Sequence, residues 1–191
     1  MSAIDSALIV SGEKGIAYFS EVLSAASFGE IVSAETAGEA RRLLIERDFD
    51  LCLVNTPLPD EHGVKLAERI ASDGMSGVIL CVRAEHFDEI AAKVEDFGVV
   101  TVSKPLSRAI FWNALKLTMA THRRMQSMEK ENRRLVQKLE DIRVVDRAKC
   151  MLISYLSMNE TEAHKYIERQ AMDTRLTKRE IAERILKTYE N

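Results

Sequence analysis

The eight glycines and three prolines of this 191-residue chain all lie at or before Pro105. Residues 106–191 contain neither, so nothing in that stretch interrupts a helix or supplies a ready-made tight turn. The chain must join two kinds of structure near Pro105: a punctuated half of short elements, and a half free to run as long helix.

The punctuated half alternates β-like runs, "SALIVSG", "GEIVSAET", "DLCLVNT", "SGVILCVRA" and "GVVTVSKP", with helical patterns, "GIAYFSEVLSAAS", "AGEARRLLIERD", "HGVKLAERIASDG" and "EHFDEIAAKVEDFG". Five strands alternating with helices predict a five-stranded parallel sheet with helices on both faces, a doubly wound, flavodoxin-like α/β domain over residues 1–120. Open sheets of this kind place their chemistry at the carboxyl ends of the strands. The third strand ends at Asn55-Thr56-Pro57, followed by a polar turn and Gly63.

In the other half Ser107 is a candidate helix cap, and an unbroken helical pattern follows from Arg108 to Leu156, about 75 Å at 1.5 Å per residue. Met125, Met128, Asn132, Leu135, Leu139 and Ile142 step by 3 and 4 in alternation. With Met125, Asn132 and Leu139 at position a, the residues at d are Met128, Leu135 and Ile142, and residues 121–146 read as a coiled-coil linker. Asn at a with Leu next at d favours a parallel dimer and fixes register at some cost in stability. Arg124 at g can meet Glu129 at e of the other helix, whereas Lys138 and Arg143 repel. The plainer reading is one long helix that packs back on its own domain.

Two capping boxes delimit the helices that follow: Asn159-x-x-Glu162 and Thr177-x-x-Glu180. Ala163, Ile167 and Ala171 share a face of the first, and Ile181, Ala182 and Ile185 line the second. With Ala148, Leu152 and Tyr155 at the end of the long helix they predict an all-α three-helix bundle over 147–191, small enough to be marginal alone.

Composition narrows the function classes. Hydrophobic content of 46% with 30% charged residues describes a soluble globular chain. No run approaches the roughly 18 apolar residues of a membrane span. "MSAIDSALIV" has no positive n-region, which predicts no signal peptide and a cytoplasmic protein. Cys52, Cys81 and Cys150 sit in apolar runs without any CxxC, which predicts buried, reduced thiols and no metal site. Residues 1–110 hold ten Lys and Arg against eighteen Asp and Glu, a net of −8; 111–146 hold eight against five, or +3; 147–191 hold nine against seven, or +2. That split fits an acidic regulatory half with a polyanion-facing half, or ordinary surface variation.

On the strand ladder, the "NTPLPDEHG" after the third strand and the Lys104-Pro105 pair after the fifth, the first half resembles the receiver domain of bacterial response regulators. The family accepts a phosphoryl group on an Asp at the end of the third strand, with Mg²⁺ on further carboxylates and a Lys for the phosphoryl oxygens. Here the nucleophile position is Asn55, which has no anionic oxygen. The acidic pair falls on Ser11 and Gly12, the hydroxyl position on Arg83 and the aromatic switch position on Thr101; Lys104 alone remains. Mg²⁺ wants carboxylate oxygens, and Glu13 by itself is insufficient. The resemblance therefore implies a pseudo-receiver that is not phosphorylated at Asn55 and holds no metal or cofactor, with Lys104 bonded to Asn55 Oδ1 and Arg83 filling the phosphate space.

The last part resembles the ANTAR domain, a three-helix RNA-binding module of bacterial antiterminators. Ala148-Lys149, Asn159-Glu160-x-Glu162-Ala163, Ala171-Met172 and Ile181-Ala182 carry the likeness at matching separations; Cys150, His164 and Glu168 depart from the usual Gly, aromatic and basic residues. The resemblance implies a non-enzymatic regulator that binds paired stem-loops in leader mRNA and keeps a terminator hairpin from forming. Its candidate RNA contacts are Lys149, Lys165, Arg169, Arg175, Lys178 and Arg179, with Tyr155, Tyr166 and His164 able to stack on bases. The plain alternative is a solvated face paired with Glu160, Glu162 and Glu183, and tyrosines that belong to the core or its rim. A regulatory protein partner, or the receiver surface itself, is expected to govern dimerisation or RNA access in place of phosphorylation, and neither membrane nor DNA is expected as a partner. The rival from another class is a protein-interaction module whose helical tail docks a partner protein.

Overall fold

The strands form because their apolar side chains alternate between two faces, each of which finds its own cover. The computed structural model describes residues 5–74 and 76–189. In the first half β1 (Ser6–Val10), β2 (Glu30–Ala34), β3 (Leu51–Asn55), β4 (Gly77–Arg83) and β5 (Val100–Lys104) make a five-stranded parallel sheet in the order β2-β1-β3-β4-β5. Leu8 and Val10, Cys52 and Val54, and Val78, Leu80 and Val82 point to one face. Ala7 and Ile9, Leu51 and Leu53, and Ile79 and Cys81 point to the other. This is the period of two expected of strands buried on both sides.

The first face is covered by α2 (Ala37–Glu46), α3 (Val64–Ser72) and α4 (Phe87–Val94), through Ala37, Ala40, Leu66, Ala67, Ile70, Ile90 and Val94. The second is covered by α1 (Glu13–Ala25) and the start of α5 (Arg108–Leu156), through Phe19, Leu23, Phe111, Ala114, Leu115 and Met119. The sheet is thus the doubly wound, flavodoxin-like one that the alternation predicts.

Close approach at the lower edge of the sheet seats α5. A Cβ added to Gly77 would lie 2.7 Å from Thr118 Cγ2, so only a glycine lets the helix come this near. The Asp50 carboxylate, at the foot of β3, accepts the Ser6 amide at 2.8 Å and the Ser6 hydroxyl at 2.9 Å. Its other oxygen lies 3.4 Å from His122 Nε2 and accepts Gln126 at 3.3 Å. Burial pushes this carboxyl up, but the four hydrogen bonds outweigh burial and hold it below the usual carboxylate range.

The chain divides into two compact units, residues 1–126 and 127–191. In the second, the later part of α5 packs with α6 (Glu160–Thr174) and α7 (Lys178–Tyr189) around Ala148, Leu152, Ala163, Ile167, Ala171, Ile181, Ala182, Ile185 and Leu186. Both capping boxes form. Asn159 Oδ1 accepts the Glu162 amide at 2.9 Å while the Glu162 carboxylate accepts the Asn159 amide at 2.8 Å. Thr177 and Glu180 exchange the same pair at 3.2 and 2.7 Å. Such caps contribute about 1 kcal/mol each, which matters to a core this small.

Two readings of the sequence are corrected. Tyr155 does not join the three-helix core: it is 61% exposed, because it lies at the rim, where its ring stacks on Tyr189 of α7 instead of turning inward with Leu152. Cys150 is exposed, whereas Cys52 and Cys81 are buried; the apolar run around Cys150 turns Ala148 and Leu152 inward and leaves the residue between them outside.

Candidate functional site

In a 2-1-3-4-5 sheet the winding reverses between β1 and β3, and the loops after those strands open the crevice where ligands bind. Ser11 and Asn55 stand there. The two side chains bond to each other: Asn55 Nδ2 donates to Ser11 Oγ at 2.8 Å, and Ser11 Oγ donates to the Gly12 carbonyl at 3.1 Å. Helix α1 closes over the pair, since a Cβ on Gly15 would lie 2.0 Å from Ser11 Oγ and 2.6 Å from Asn55 Nδ2.

Lys104, at the end of β5, reaches the same loop but not the Asn55 side chain. It donates to the Thr56 carbonyl, and Asn55 Oδ1 is buried with no hydrogen-bond partner among the described residues. Burial pushes the Lys104 ammonium below the usual lysine range; Cys81 opposes that shift and Arg83 adds to it. Arg83 does not fill the crevice: its side chain is 63% exposed and lies 3.5 Å from Glu85. Thr101 Oγ1, on β5, is buried and likewise without a partner. Glu13 is exposed at the start of α1.

The acids of the loop after β3 face the other way. Asp60 accepts the Ala37 and Gly38 amides of the α2 N-terminus, each at 2.9 Å, and these bonds hold its carboxyl below the usual range. Glu61 pairs with Arg41 of α2 at 2.6 Å. Free amides at a helix N-terminus attract a carboxylate, so these two acids fasten the loop to α2. Among the described residues no three His, Cys, Asp or Glu side chains converge as a group able to hold a metal ion. The crevice is a neutral, internally bonded contact with one lysine beside it.

In the second unit the cations proposed for RNA are mostly engaged. Lys149 of α5 lies 2.8 Å from Asp146 and 2.9 Å from Glu160 of α6; these two partners push its ammonium above the usual range. Lys178 of α7 pairs with Glu168 of α6, which also lies 3.2 Å from His164. Arg179 of α7 lies 2.6 Å from Asp141 of α5 and 2.9 Å from Glu183. Each pair of helices in the bundle is therefore bridged by one candidate cation. Exposed pairs of this kind contribute little stability singly, but they set the charge a polyanion meets. Arg169 lies 3.8 Å from Asp173, and Lys165 and Arg175 are exposed. Arg175 ends α6 in the left-handed conformation, φ 55°.

Tyr155 stacks on Tyr189, ring centroids 5.2 Å apart with planes 29° from parallel. Tyr166 is 38% exposed. Along α5 the heptad residues Met125, Met128, Leu135, Leu139 and Ile142 are 49–63% exposed, and Asn132 is exposed between them. No helix among the described residues is long and apolar enough to cross a membrane.

Comparison with known proteins agrees with this division. A family model described as the ANTAR domain matches residues 133–186. Over 169 residues the chain is 28% identical to the transcriptional regulatory protein PdtaR of Mycobacterium tuberculosis, covering 88% of this chain and 82% of that protein. Among solved structures, the signal receiver domain of an HD domain-containing protein from Pseudomonas fluorescens superposes with a TM-score of 0.59 at 22% identity, covering 66% of this chain and 95% of that one. A response regulator receiver domain protein from Clostridium thermocellum gives 0.53 at 16%, covering 62% and 97%. At such identities the structural likeness speaks for the fold.

Proposed function

The chain is a response regulator in which a receiver-type domain precedes an ANTAR domain, and from that premise we propose that it is a transcription antitermination regulator which binds stem-loops in leader RNA and prevents a terminator hairpin from forming. The observation that carries the reading is the three-helix unit within residues 133–186, with both capping boxes formed. No residue acts as a catalyst in it; the output is binding.

Two further parts belong to the proposal. The exposed seam from Met125 to Ile142 pairs with a second copy as a parallel coiled coil, so that two small RNA sites act together through effective concentration. Control does not run through phosphorylation of Asn55: a carboxamide bonded to Ser11 offers no anionic nucleophile. Dimerisation or RNA access is governed by a protein partner at the receiver-type domain. In this reading residues 1–120 are the pseudo-receiver, 121–146 the linker and 147–191 the RNA-binding part.

Binding of hairpin RNA by the full chain at two salt concentrations tests it. Affinity should fall steeply as salt rises, and Lys165→Ala or Arg175→Ala, neither of which breaks an ion pair within 4 Å among the described residues, should lower the slope. Absence of RNA binding at low salt would favour the rival, a helical tail that docks a partner protein.

A further inference from the structure

On α6 the residues Tyr166, Gln170 and Thr174 recur every four positions and so form one stripe. On α7 Ile181, Arg184, Ile185, Thr188 and Tyr189 form another. The two stripes enclose a depression of about 220 Å³ to which α5 contributes Leu152. We propose that this depression receives a single unpaired RNA base, and is the place where the protein reads its stem-loop; the inference rests on the RNA-binding function proposed above.

Four observations point to a base. The depression is too small for a whole ligand, since sites that enclose one run to roughly 300–1,000 Å³; it suits one planar heterocycle offered by a larger molecule. Its walls combine an apolar surface, Leu152, Ile181 and Ile185, with the rings of Tyr166 and Tyr189, and Tyr189 is backed by the stacked ring of Tyr155. Unpaired bases are bound by proteins on such aromatic or guanidinium planes.

The polar groups are of the right kind. The Gln170 carboxamide carries a donor and an acceptor side by side, as a base edge does. Thr174 and Thr188 spend their hydroxyl protons on the Gln170 and Arg184 carbonyls, at 2.6 and 2.9 Å, which leaves their oxygens as acceptors for a base amino group.

The charge is the fourth. Lys149, Lys178 and Arg179 each face a carboxylate, whereas the lining of this depression holds one guanidinium, that of Arg184, and no acid. Arg184 is exposed and forms no ion pair within 4 Å among the described residues. A phosphate next to the bound base therefore meets a cation with no carboxylate within 4 Å among the described residues and only the more distant attraction of Glu180 one turn earlier. Elsewhere it would have to displace Glu168 or Asp141.

The test uses the full chain and a pool of hairpin RNAs with one common stem and randomised loops, with the loopless duplex as control. From the best-bound hairpin, variants with a single abasic loop position are made. Tyr166→Ala should weaken hairpin binding about ten-fold, within the range for loss of one base stack, and Tyr166→Phe should keep it. One abasic position should weaken binding to the unaltered chain by a similar factor and should cost Tyr166→Ala nothing more, because both remove the same contact. Arg184→Gln should weaken binding at low salt and reduce the salt slope. Thermal unfolding of each variant checks that the bundle is intact.

If Tyr166→Ala and Arg184→Gln bind the hairpin as the unaltered chain does, or if abasic and tyrosine effects add at every loop position, the base pocket is wrong while RNA binding stands. If the unaltered chain prefers no hairpin to the loopless duplex at low salt, the RNA reading itself fails, and the pocket with it.

Discussion

Asn55 and Ser11 are hydrogen-bonded to each other at 2.8 Å, at the two strand ends where a phosphoryl-accepting receiver keeps carboxylates. Restoring one carboxylate does not rebuild the site, because Mg²⁺ needs several oxygen ligands and Asp60 and Glu61 are committed to α2. Asn55→Asp should take up no phosphate from a small phosphoryl donor with Mg²⁺ present, as read by phosphate-affinity electrophoresis. A phosphorylated band in that variant would show that the site is one substitution from activity and would sink the proposal of a retired pocket.

The same contact leaves no room on α1. A Cβ at Gly15 would press on Ser11 Oγ at 2.0 Å and Asn55 Nδ2 at 2.6 Å, and short side chains held by hydrogen bonds can yield only by breaking them. Gly15→Ala should destabilise the first unit by about 1–3 kcal/mol, the usual cost of overpacking. Urea unfolding should show a lower midpoint with an unchanged slope. In a Ser11→Ala background the penalty should shrink, since the nearest atom is gone.

The sheet was legible because both of its faces are written into each strand: Leu8 and Ile9, Cys52 and Leu53, Ile79 and Leu80 alternate between two cores. The capping boxes at Asn159 and Thr177 were equally open to reading, since each is complete within four residues. What could not be read are partners far apart in the chain. Asp60 stands in the polar turn after the third strand, yet it caps a helix more than twenty residues earlier. The cations of the last helices were visible as a group, but Arg179 meets Asp141 across 38 positions of sequence and Lys149 meets Glu160 across 11. Lys104 was placed beside the right loop and on the wrong atom, since a flexible four-carbon stem can choose a carbonyl one residue away.

Asp50 gives the first unit a definite acid response. Burial raises its pKa, and the bonds from Ser6, His122 and Gln126 more than reverse that, so the folded value lies below the ordinary one. A carboxyl with a depressed folded pKa contributes stability that is present above its unfolded pKa, about 3.9, and is lost as pH falls through the folded value. Asp50→Asn should therefore be less stable than the unaltered chain near neutral pH, and the gap should narrow as pH drops below about 4. Denaturant midpoints measured across that range decide it; a constant gap would show that the carboxylate charge is not what matters.

The thiols should separate cleanly. Burial pushes Cys52 and Cys81 up to about 12, against small opposing effects of Ser76 and Lys104 respectively, while Cys150 is exposed. The thiolate is the reactive form. At pH 8 the native chain should consume one equivalent of a thiol reagent quickly, and the other two of its three cysteines should react only on unfolding. Rapid labelling of Cys150→Ser would contradict the burial of the other two.

The seam on α5 is the remaining feature that a single copy leaves unexplained. Met125, Met128, Leu135, Leu139 and Ile142 are about half exposed or more, and large apolar side chains at heptad spacing are stabilised mainly by a partner helix. Leu135→Asp places a charge at a central d position, so it should convert a dimer to a monomer in sedimentation equilibrium and weaken binding to an RNA with two hairpins more than to one with a single hairpin. Asn132→Ile should act in the opposite sense, raising stability while loosening the preference for two strands in register, because the polar pair that enforces it is gone. If Leu135→Asp sediments as the unaltered chain does, the seam is not where two copies meet.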